Sequence, residues 1–186
     1  IPKGILKRAK LLWLNYPNNP TGATAPLHVF EQAVELARRF DFLVCHDAAY
    51  IKVAFDGVQP PSLLQVEGAK DVAVEFNTLS KSHNMAGWRT GALLGNQDVV
   101  RTLFTLKTNA DSSHFFPIFE ATVSALTGDQ DWLEERNQIY QMRRDAVMTG
   151  LRQAGLNAAL PHASLYVWAE IPAGWDCEVF VFTARL

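Results

Sequence analysis

The sequence contains few cysteines and no long hydrophobic run. Only two of its 186 residues, Cys45 and Cys177, are cysteines, and they lie far apart. Two distant cysteines form neither a disulfide framework nor the paired spacing of a zinc site, which indicates a reducing compartment. No apolar stretch approaches the length of a membrane span, and no charged-then-apolar leader is visible. We therefore expect a cytoplasmic protein with no membrane partner and no metal site.

An excess of charge of one sign is also absent. The chain has 17 Lys and Arg residues against 19 Asp and Glu residues, a formal charge of −2. Proteins that bind nucleic acid usually gather basic residues on one surface, and here the only short basic cluster spans residues 7–10. We interpret that cluster as a solvated segment before a strand. Nucleic acid is therefore not an expected partner.

The two ends of the sequence do not look like natural termini. The chain starts at Ile1 rather than at a methionine, and it stops at Leu186 within an amphipathic pattern that indicates a helix. We expect the chain to be a fragment that lacks both ends of a longer protein.

Short apolar runs alternate with helical patterns along the chain. The apolar runs end in polar or turn-forming residues, as strands buried on both faces do. Strands that alternate with helices are typical of an α/β domain with a mostly parallel sheet and flanking helices. The predicted strands are 11–15, 41–47, 71–79 and 88–95, and the predicted helices run from about 24–26 to 40, over 97–108 and over 115–127.

Beyond this region the pattern changes. A long amphipathic stretch from Asp131 to Ala154 predicts one helix, with an apolar side formed by Trp132, Ile139, Met142, Ala146 and Leu151. Residues 163–171 then alternate with period two, which predicts a late strand with one exposed face. We expect this part to be the start of a smaller α+β unit.

Three polar residues follow, or end, predicted strands. Asn19 comes after the first strand, Asp47 ends the second and Lys81 comes after the third. Ligands of parallel sheets bind at the carboxyl ends of strands, so these residues can meet in one cleft. Lys81 is flanked by small hydroxylated residues and is followed closely by Arg89. A surface lysine does not require such surroundings.

The motifs NYPNNPTG, HDAAY and TLSKSHNMAGWRTG, in this order, resemble the signature series of class I/II aminotransferases. These are fold-type-I enzymes that use pyridoxal 5′-phosphate (PLP). The resemblance covers most of the chain. It implies that residues 1–130 form the C-terminal half of the PLP-binding large domain, that 131–155 form a long connecting helix, and that 156–186 begin the small domain.

The resemblance assigns Lys81 as the lysine that forms a Schiff base with the PLP aldehyde and then moves a proton between substrate and cofactor. A protonated amine is a poor nucleophile, so the site must favour the neutral amine, which the nearby charge of Arg89 promotes. Asp47 corresponds to the carboxylate beside the pyridine nitrogen. Its charge stabilises the protonated ring and makes the ring an electron sink. We therefore expect Asp47→Asn to bind PLP and to lose most of the activity.

The remaining site residues bind the other polar groups of PLP. Tyr50 and Asn19 resemble the pair that hydrogen-bonds the phenolic oxygen, where donors stabilise an oxyanion. Arg89 and Thr78 match the phosphate-binding positions, with Ser80 as a further candidate. The planar fork of arginine suits bidentate phosphate contact. Gly87 and Gly91 are expected to let the backbone turn around the phosphate.

Plainer interpretations compete with these roles. In these interpretations Lys81 is an ordinary surface lysine, Asp47 is a helix cap and Tyr50 is a core residue. Asn19 belongs to a segment rich in turn-forming residues, and a turn is compatible with its functional role. Cys45, His46 and Asp47 do not form a metal or protease site, because adjacent strand residues point to opposite faces.

Wider stretches around the motifs resemble the LL-diaminopimelate aminotransferase branch of the family. The working hypothesis is transfer of an amino group from an amino acid to a 2-oxo acid, with LL-diaminopimelate and 2-oxoglutarate as candidate substrates and a homodimer as the full-length state. The same residues also serve PLP-dependent lyases and synthases, and related domains serve as effector-binding parts of transcription regulators. The arginine that holds the substrate carboxylate and the aromatic residue that stacks on PLP lie outside the chain, so the isolated fragment is expected to be inactive.

Overall fold

The computed structural model describes residues 1–111 and 114–177. Their centre is a four-stranded sheet in the order β1-β2-β3-β4, in which β1, β2 and β3 are parallel and β4 is antiparallel to β3. The expected α/β fold with a mostly parallel sheet is confirmed. The strands are β1 (Leu11–Asn15), β2 (Leu43–Asp47), β3 (Ala73–Thr78) and β4 (Gly91–Gly95).

Seven helices accompany the sheet in the described residues, with short 3-10 turns at Leu63–Gln65 and Ala86–Trp88. The helices expected after residues 24–26 and over 97–108, 115–127 and 131–154 are all present. They are α1 (Lys3–Leu6), α2 (Leu27–Phe40), α3 (Ala69–Val72), α4 (Leu79–Ser82), α5 (Gln97–Ala110), α6 (Phe116–Thr127) and α7 (Trp132–Gln153).

Helix α2 covers one face of the sheet. Its apolar residues recur every three or four positions, so Phe30 and Val34 fall on one side and pack against Val44 of β2 and Ala73 of β3. Full burial of a large apolar side chain contributes roughly 1.5–3 kcal/mol. The helix ends at Asp41, whose left-handed conformation (φ 58°) turns the chain into β2.

Strand β4 lies very close to β3 at two glycines, which have no side chain at the contact. A Cβ atom at Gly91 would lie 2.6 Å from the carbonyl oxygen of Asn77, and one at Gly95 would lie 2.4 Å from that of Ala73. Gly91 is therefore required by strand pairing. The expected roles of Gly87 and Gly91 in turning the backbone around a phosphate stay predictions.

Two expectations beyond residue 130 are wrong. Residues 163–171 do not form a strand, and only isolated bridges pair Ala163 with Ala54 and Ala169 with Ala158. A strand needs a continuous ladder of backbone partners, which these isolated pairs do not supply. The helix expected at the C-terminal end of the chain lies outside the described residues.

The second error concerns the buried side of α7. The residues of this helix that are buried are Arg136, Arg144 and Met148. Met142, which we expected on the apolar side, is 64% exposed. The two buried arginines find main-chain and carboxylate acceptors, and an apolar periodicity cannot reveal such contacts.

Candidate active site

The carboxyl ends of β1, β2 and β3 meet at one edge of the sheet. Asn15 pairs with Asp47 across β1 and β2, and Asp47 pairs with Phe76 of β3. The amide of Ala48 extends this pairing by donating to the carbonyl of Phe76 at 2.9 Å. The segments that carry Asn19, Tyr50 and Lys81 therefore leave the sheet side by side, as parallel strands dictate.

Asp47 is half-buried at the end of β2 and is held in a fixed orientation. Its Oδ1 atom accepts a hydrogen bond from the amide of Ala49 at 3.1 Å, and its carbonyl oxygen accepts from Nδ2 of Asn15 at 3.0 Å. Its other carboxylate oxygen, Oδ2, has no hydrogen-bond partner among the described residues. This oxygen is thus available to a positively polarised group.

Asn15 also fixes the loop that carries Asn19. Its Oδ1 atom accepts hydrogen bonds from the amide of Asn19 at 2.9 Å and from Nδ2 of Asn18 at 3.2 Å. Asn18 in turn accepts from the hydroxyl of Thr21 at 2.7 Å. Asn15 therefore joins this loop to the end of β2 beside Asp47, a role that the sequence analysis missed. Asn19 itself is exposed.

Tyr50 and Lys81 lie on the same side of this edge. The Nζ atom of Lys81 lies over the ring of Tyr50, 5.9 Å from its centroid. The hydroxyl of Tyr50 is 2.9 Å from that of Tyr166, which comes from the segment after α7. Burial raises the pKa of Tyr50 well above its ordinary value, and the hydroxyl of Tyr166 and the negative charge of Asp47 raise it further. Asp47 thus acts electrostatically on the tyrosine that Lys81 overlies.

Lys81 belongs to α4, a single helical turn directly after β3. Thr78 caps this turn by accepting a hydrogen bond from the amide of Ser80 at 3.1 Å, and Ser82 donates to the carbonyl of Thr78 at 2.9 Å. The turn is short, so its geometry depends on these local bonds and on contacts from other elements. In the described structure the amine of Lys81 has no carboxylate partner. It is therefore available for chemistry.

The three expected phosphate ligands lie near this turn. Arg89 is exposed, adopts a left-handed conformation (φ 55°) and donates to the carbonyl of Ala86 at 3.1 Å. The hydroxyl of Thr78 donates to the carbonyl of Thr90 at 3.1 Å. Ser80 is half-buried. Phosphate binding by Arg89, Thr78 and Ser80 stays a prediction.

A buried polar network lies behind the site, on the α2 side of the sheet. The Nδ1 atom of His46 is 3.0 Å from Glu75, and its Nε2 atom is 3.0 Å from the carbonyl oxygen of Tyr16. Burial alone would raise the pKa of Glu75, but hydrogen bonds from His46, Asn77 and Ser62 outweigh it and hold the pKa below its ordinary value. The network ties β2 and β3 to the start of the Asn19 loop. The sequence analysis gave His46 no role.

The segment 161–166 is attached to the site from the other side. The amide of Phe55 donates to the carbonyl of His162 at 2.8 Å, and the amide of Ser164 donates to that of Val53 at 2.9 Å. A Cβ atom at Gly22 would lie 2.7 Å from Cβ of Pro161, so the Asn19 loop packs directly on this segment. These contacts bring Tyr166 to Tyr50. Nothing in the alternating pattern of residues 163–171 indicated that contact.

One cavity of the described structure is separate from these residues. It has a volume of about 780 Å³, lies between the loop at 51–62 and the first half of α7, and is not lined by Asp47, Tyr50 or Lys81. A smaller cavity of about 250 Å³ lies beside Tyr166. No group of three or more His, Cys, Asp or Glu side chains in the described ranges is arranged to hold a metal ion. The candidate site lies instead at the sheet edge, where Asp47, Tyr50 and Lys81 come together.

Comparisons with known proteins agree with the fold of this chain. The model of the family described as aminotransferase class I and II matches residues 2–179. The LL-diaminopimelate aminotransferase of Moorella thermoacetica is 47% identical over 180 residues, which cover 97% of this chain and 46% of that protein. That of Gloeobacter violaceus is 48% identical over 179 residues, with 96% and 46% covered. The chain thus spans less than half the length of these relatives.

Solved structures give the same result. An aminotransferase from Staphylococcus aureus superimposes with a TM-score of 0.91 at 38% identity, covering 97% of this chain and 48% of that one. A probable N-succinyldiaminopimelate aminotransferase from Thermus thermophilus has a TM-score of 0.91 at 35% identity, with 97% and 48% covered.

Proposed function

Because this chain belongs to the class I and II aminotransferase family, we propose that it is part of a PLP-dependent aminotransferase whose reactive amine is Lys81. The observation that carries the proposal is the convergence of three groups at one sheet edge. The Lys81 amine lies over the Tyr50 ring, and the Asp47 carboxylate acts on the same tyrosine. The segments that carry them leave the ends of neighbouring strands.

The donor set fits PLP. An aldehyde requires an amine without a competing anion, which Lys81 offers. A pyridine nitrogen requires a fixed carboxylate, and Asp47 has one oxygen engaged by Ala49 and one available. A phenolic oxygen requires a nearby hydroxyl donor, which Tyr50 supplies. Arg89, which in the described residues contacts only a main-chain carbonyl, offers a guanidinium for the phosphate.

When bound, PLP supplies a conjugated pyridine ring that accepts electron density from the substrate. The chain supplies the polar groups around it. Asp47 would hold positive charge at the ring nitrogen, and Tyr50 and Asn19 would donate to the phenolic oxygen. The Nζ atom of Lys81 would bind the aldehyde with loss of water. Once the amino group of the substrate had displaced it, the freed amine would take up and return a proton at the reacting carbon. Thr78, Ser80 and Arg89 hold the phosphate and thereby fix the position of the ring.

The substrate class follows from the relatives. Proteins 47% and 48% identical to this chain are named LL-diaminopimelate aminotransferases. We infer that the donor is an amino acid, with LL-diaminopimelate as the first candidate, and that the acceptor is a 2-oxo acid, with 2-oxoglutarate as the first candidate. We further propose that the full-length protein is a cytoplasmic homodimer. In this proposal residues 1–130 form the C-terminal half of the large domain, residues 131–155 form the connecting helix, and residues 156–186 begin the small domain.

The decisive experiment changes Lys81 in the full-length protein. PLP is added, the product is reduced with borohydride, and the modified peptide is identified by mass spectrometry. We expect stoichiometric labelling of Lys81 and none after Lys81→Ala, with transamination reduced by at least about 10³-fold because the nucleophile is lost.

Lys70, an exposed lysine on α3, provides the matched control. Lys70→Ala is expected to label and react like the unchanged protein. Labelling that persists at full stoichiometry in Lys81→Ala would contradict the assignment.

A further inference from the structure

The first half of α7 places one buried cation against the main chain of Lys81. Arg136 is 7% exposed. Its Nη1 atom donates to the carbonyl oxygens of Lys81, at 3.2 Å, and of Ser82. Its Nη2 atom donates to the carbonyl oxygen of Lys52, at 2.8 Å, and to Oδ1 of Asn137, at 2.8 Å. One guanidinium therefore connects the lysine turn with the loop that follows Tyr50.

The charge of Arg136 has no anionic partner in the part of the chain that the structure describes. Its guanidinium instead lies 5.5 Å from the ring of Trp132 and 5.6 Å from that of Tyr140, and its buried Nε atom has no hydrogen-bond partner there. Burial lowers its pKa, but a guanidinium stays protonated at neutral pH. A buried cation without a carboxylate is costly unless carbonyl dipoles compensate it.

Arg144, about two turns later on the same helix, shows the usual alternative. It is also buried, but it binds the carboxylates of Asp56, at 2.6 Å, and of Asp145, at 2.8 Å. Both arginines therefore anchor α7. Of the two, Arg136 is the one that directs its hydrogen bonds to the end of α4, the turn that carries the reactive lysine.

We propose that Arg136 is a positioning residue for Lys81. By holding the carbonyls of Lys81 and Ser82 with one amino group and that of Lys52 with the other, it sets the distance between the lysine turn and the Tyr50 loop. Lysine cannot replace it, because a single ammonium lacks the planar fork that reaches both segments. The inference rests on the proposed function, since it assumes that the Lys81 amine is the reactive group.

The test compares Arg136→Met and Arg136→Lys with Arg144→Met in the full-length protein. The rate of covalent PLP attachment to Lys81 is measured against PLP concentration by borohydride trapping. Misplacement of a reacting group by about 1 Å can lower a rate by about 10²-fold. We therefore expect Arg136→Met to lower the saturating rate constant by about 10- to 100-fold and to change the half-saturating PLP concentration by less than about 3-fold.

Arg144→Met is the matched control, because it removes a buried arginine of the same helix that does not contact the lysine turn. It is expected to lower the melting temperature. Because Arg144 anchors the segment that carries Tyr166, and so acts on the Tyr50 donor, any effect on PLP attachment is expected in the half-saturating PLP concentration, while the saturating rate constant stays within about 3-fold. Arg136→Lys is expected to keep more of the stability than Arg136→Met but to recover only a minor part of the rate. If Arg136→Met does not fold, Arg136→Lys is compared with Arg144→Met instead.

Hydrogen exchange of the apoprotein separates this inference from the proposed function. The amides of His83 and Met85 donate to the carbonyl of Leu79 at 3.0 and 3.2 Å. They should exchange faster in the Arg136 variants than in Arg144→Met, whether or not PLP reacts with Lys81. Equal exchange and equal attachment rates in the variants of both arginines would overturn the positioning role. A failure of PLP to label Lys81 in the unchanged protein would instead refute the proposed function.

Discussion

At the scale of single residues, the pair of tyrosine hydroxyls defines the environment of the site. Tyr50 is buried, and its hydroxyl shares one hydrogen bond with Tyr166 across 116 positions of sequence. Burial, the Tyr166 hydroxyl and the charge of Asp47 all favour the neutral phenol of Tyr50. A tyrosine that keeps its proton can donate to an anionic oxygen. Tyr166 therefore orients the donor that the proposed function requires.

We expect Tyr166→Phe to lower the pKa of Tyr50, because one of the interactions that favour its neutral form is removed. The pKa should stay above the ordinary value, since burial remains the largest cause. Absorbance titration of the phenolate in the near ultraviolet measures the change. Loss of one buried hydrogen bond should also destabilise the fold by about 1 kcal/mol.

The half-buried Tyr16, changed to phenylalanine, is the control and should leave the titration of Tyr50 unaltered. The sign of the linkage is also testable. Because folding raises the pKa of Tyr50, the neutral phenol stabilises the folded protein at any pH below the pKa of an unfolded tyrosine, about 10. This stabilisation is lost as the pH rises through the pKa of Tyr50 in the folded protein. An unchanged Tyr50 titration in Tyr166→Phe would refute the coupling.

At the scale of elements, α7 joins the segment after it to the loop after Tyr50. Arg144 donates to both carboxylate oxygens of Asp56, at 2.6 and 3.0 Å, and to the carbonyl of Pro161 at 2.9 Å. Nδ1 of His162 is 2.8 Å from the same carboxylate. Asp56 adopts a left-handed conformation (φ 57°) that asparagine tolerates and most residues do not. This cluster fixes the segment that delivers Tyr166.

Asp56→Asn tests the charge alone, because asparagine removes the negative charge but keeps the shape of the side chain and its tolerance of the left-handed backbone conformation. The hydrogen bonds from Arg144 are the largest cause that lowers the pKa of Asp56, to about 2. Since the folded pKa is depressed, this stabilisation is present above about pH 4 and is lost as pH falls toward 2. We expect Asp56→Asn to destabilise the fold at neutral pH by about 1–3 kcal/mol. We also expect the free energy of unfolding to depend less on pH below about pH 4 in this variant.

Urea unfolding across the range from about pH 2 to neutral measures both effects. Asp71→Asn is the control, because its ion pair with Arg38 spans 3.8 Å between side chains that are 76% and 49% exposed. Exposed pairs contribute at most about 1 kcal/mol. If both variants show the same small loss, Asp56 does not have the anchoring role described here.

At the scale of the whole molecule, much apolar surface is left uncovered. Helices α5 and α6 bury no residue among those described, and Phe104 and Phe116 are each 68% exposed. No described helix is long and apolar enough to cross a lipid bilayer. The stretch that this chain shares with its relatives makes up 46% of their length. Exposed apolar side chains gathered in this way are typical of a contact surface.

We expect the isolated 186-residue chain to bind PLP weakly or not at all, because it spans less than half the length of the relatives that it matches. Equilibrium titration of PLP absorbance, with borohydride trapping at Lys81, measures binding. The full-length protein under identical conditions is the control and should bind stoichiometrically. Tight stoichiometric binding by the isolated chain would show that residues 1–186 already complete the pocket.

Local patterns were sufficient to predict most elements and the family to which the chain belongs. The periodicity of α2 and the apolar runs of β1, β2 and β3 report burial directly, so these elements lie where we expected them. Asn19, Asp47 and Lys81 could be selected because they follow or end predicted strands, and parallel strands place their carboxyl ends at one edge. Tyr50 was selected from the resemblance of its motif to the family. These inferences need only neighbours in sequence and the general geometry of an α/β sheet.

Tertiary structure alone decided which distant groups meet. It made β4 antiparallel, left residues 163–171 without a continuous strand partner and buried Arg136 and Arg144 on a side of α7 that differs from the expected one. It also brought Tyr166 to Tyr50 and Arg136 to the carbonyl of Lys81. The physical reason is that hydrophobic periodicity records how much of a side chain is buried, whereas a buried polar group is placed by the acceptors it finds after folding.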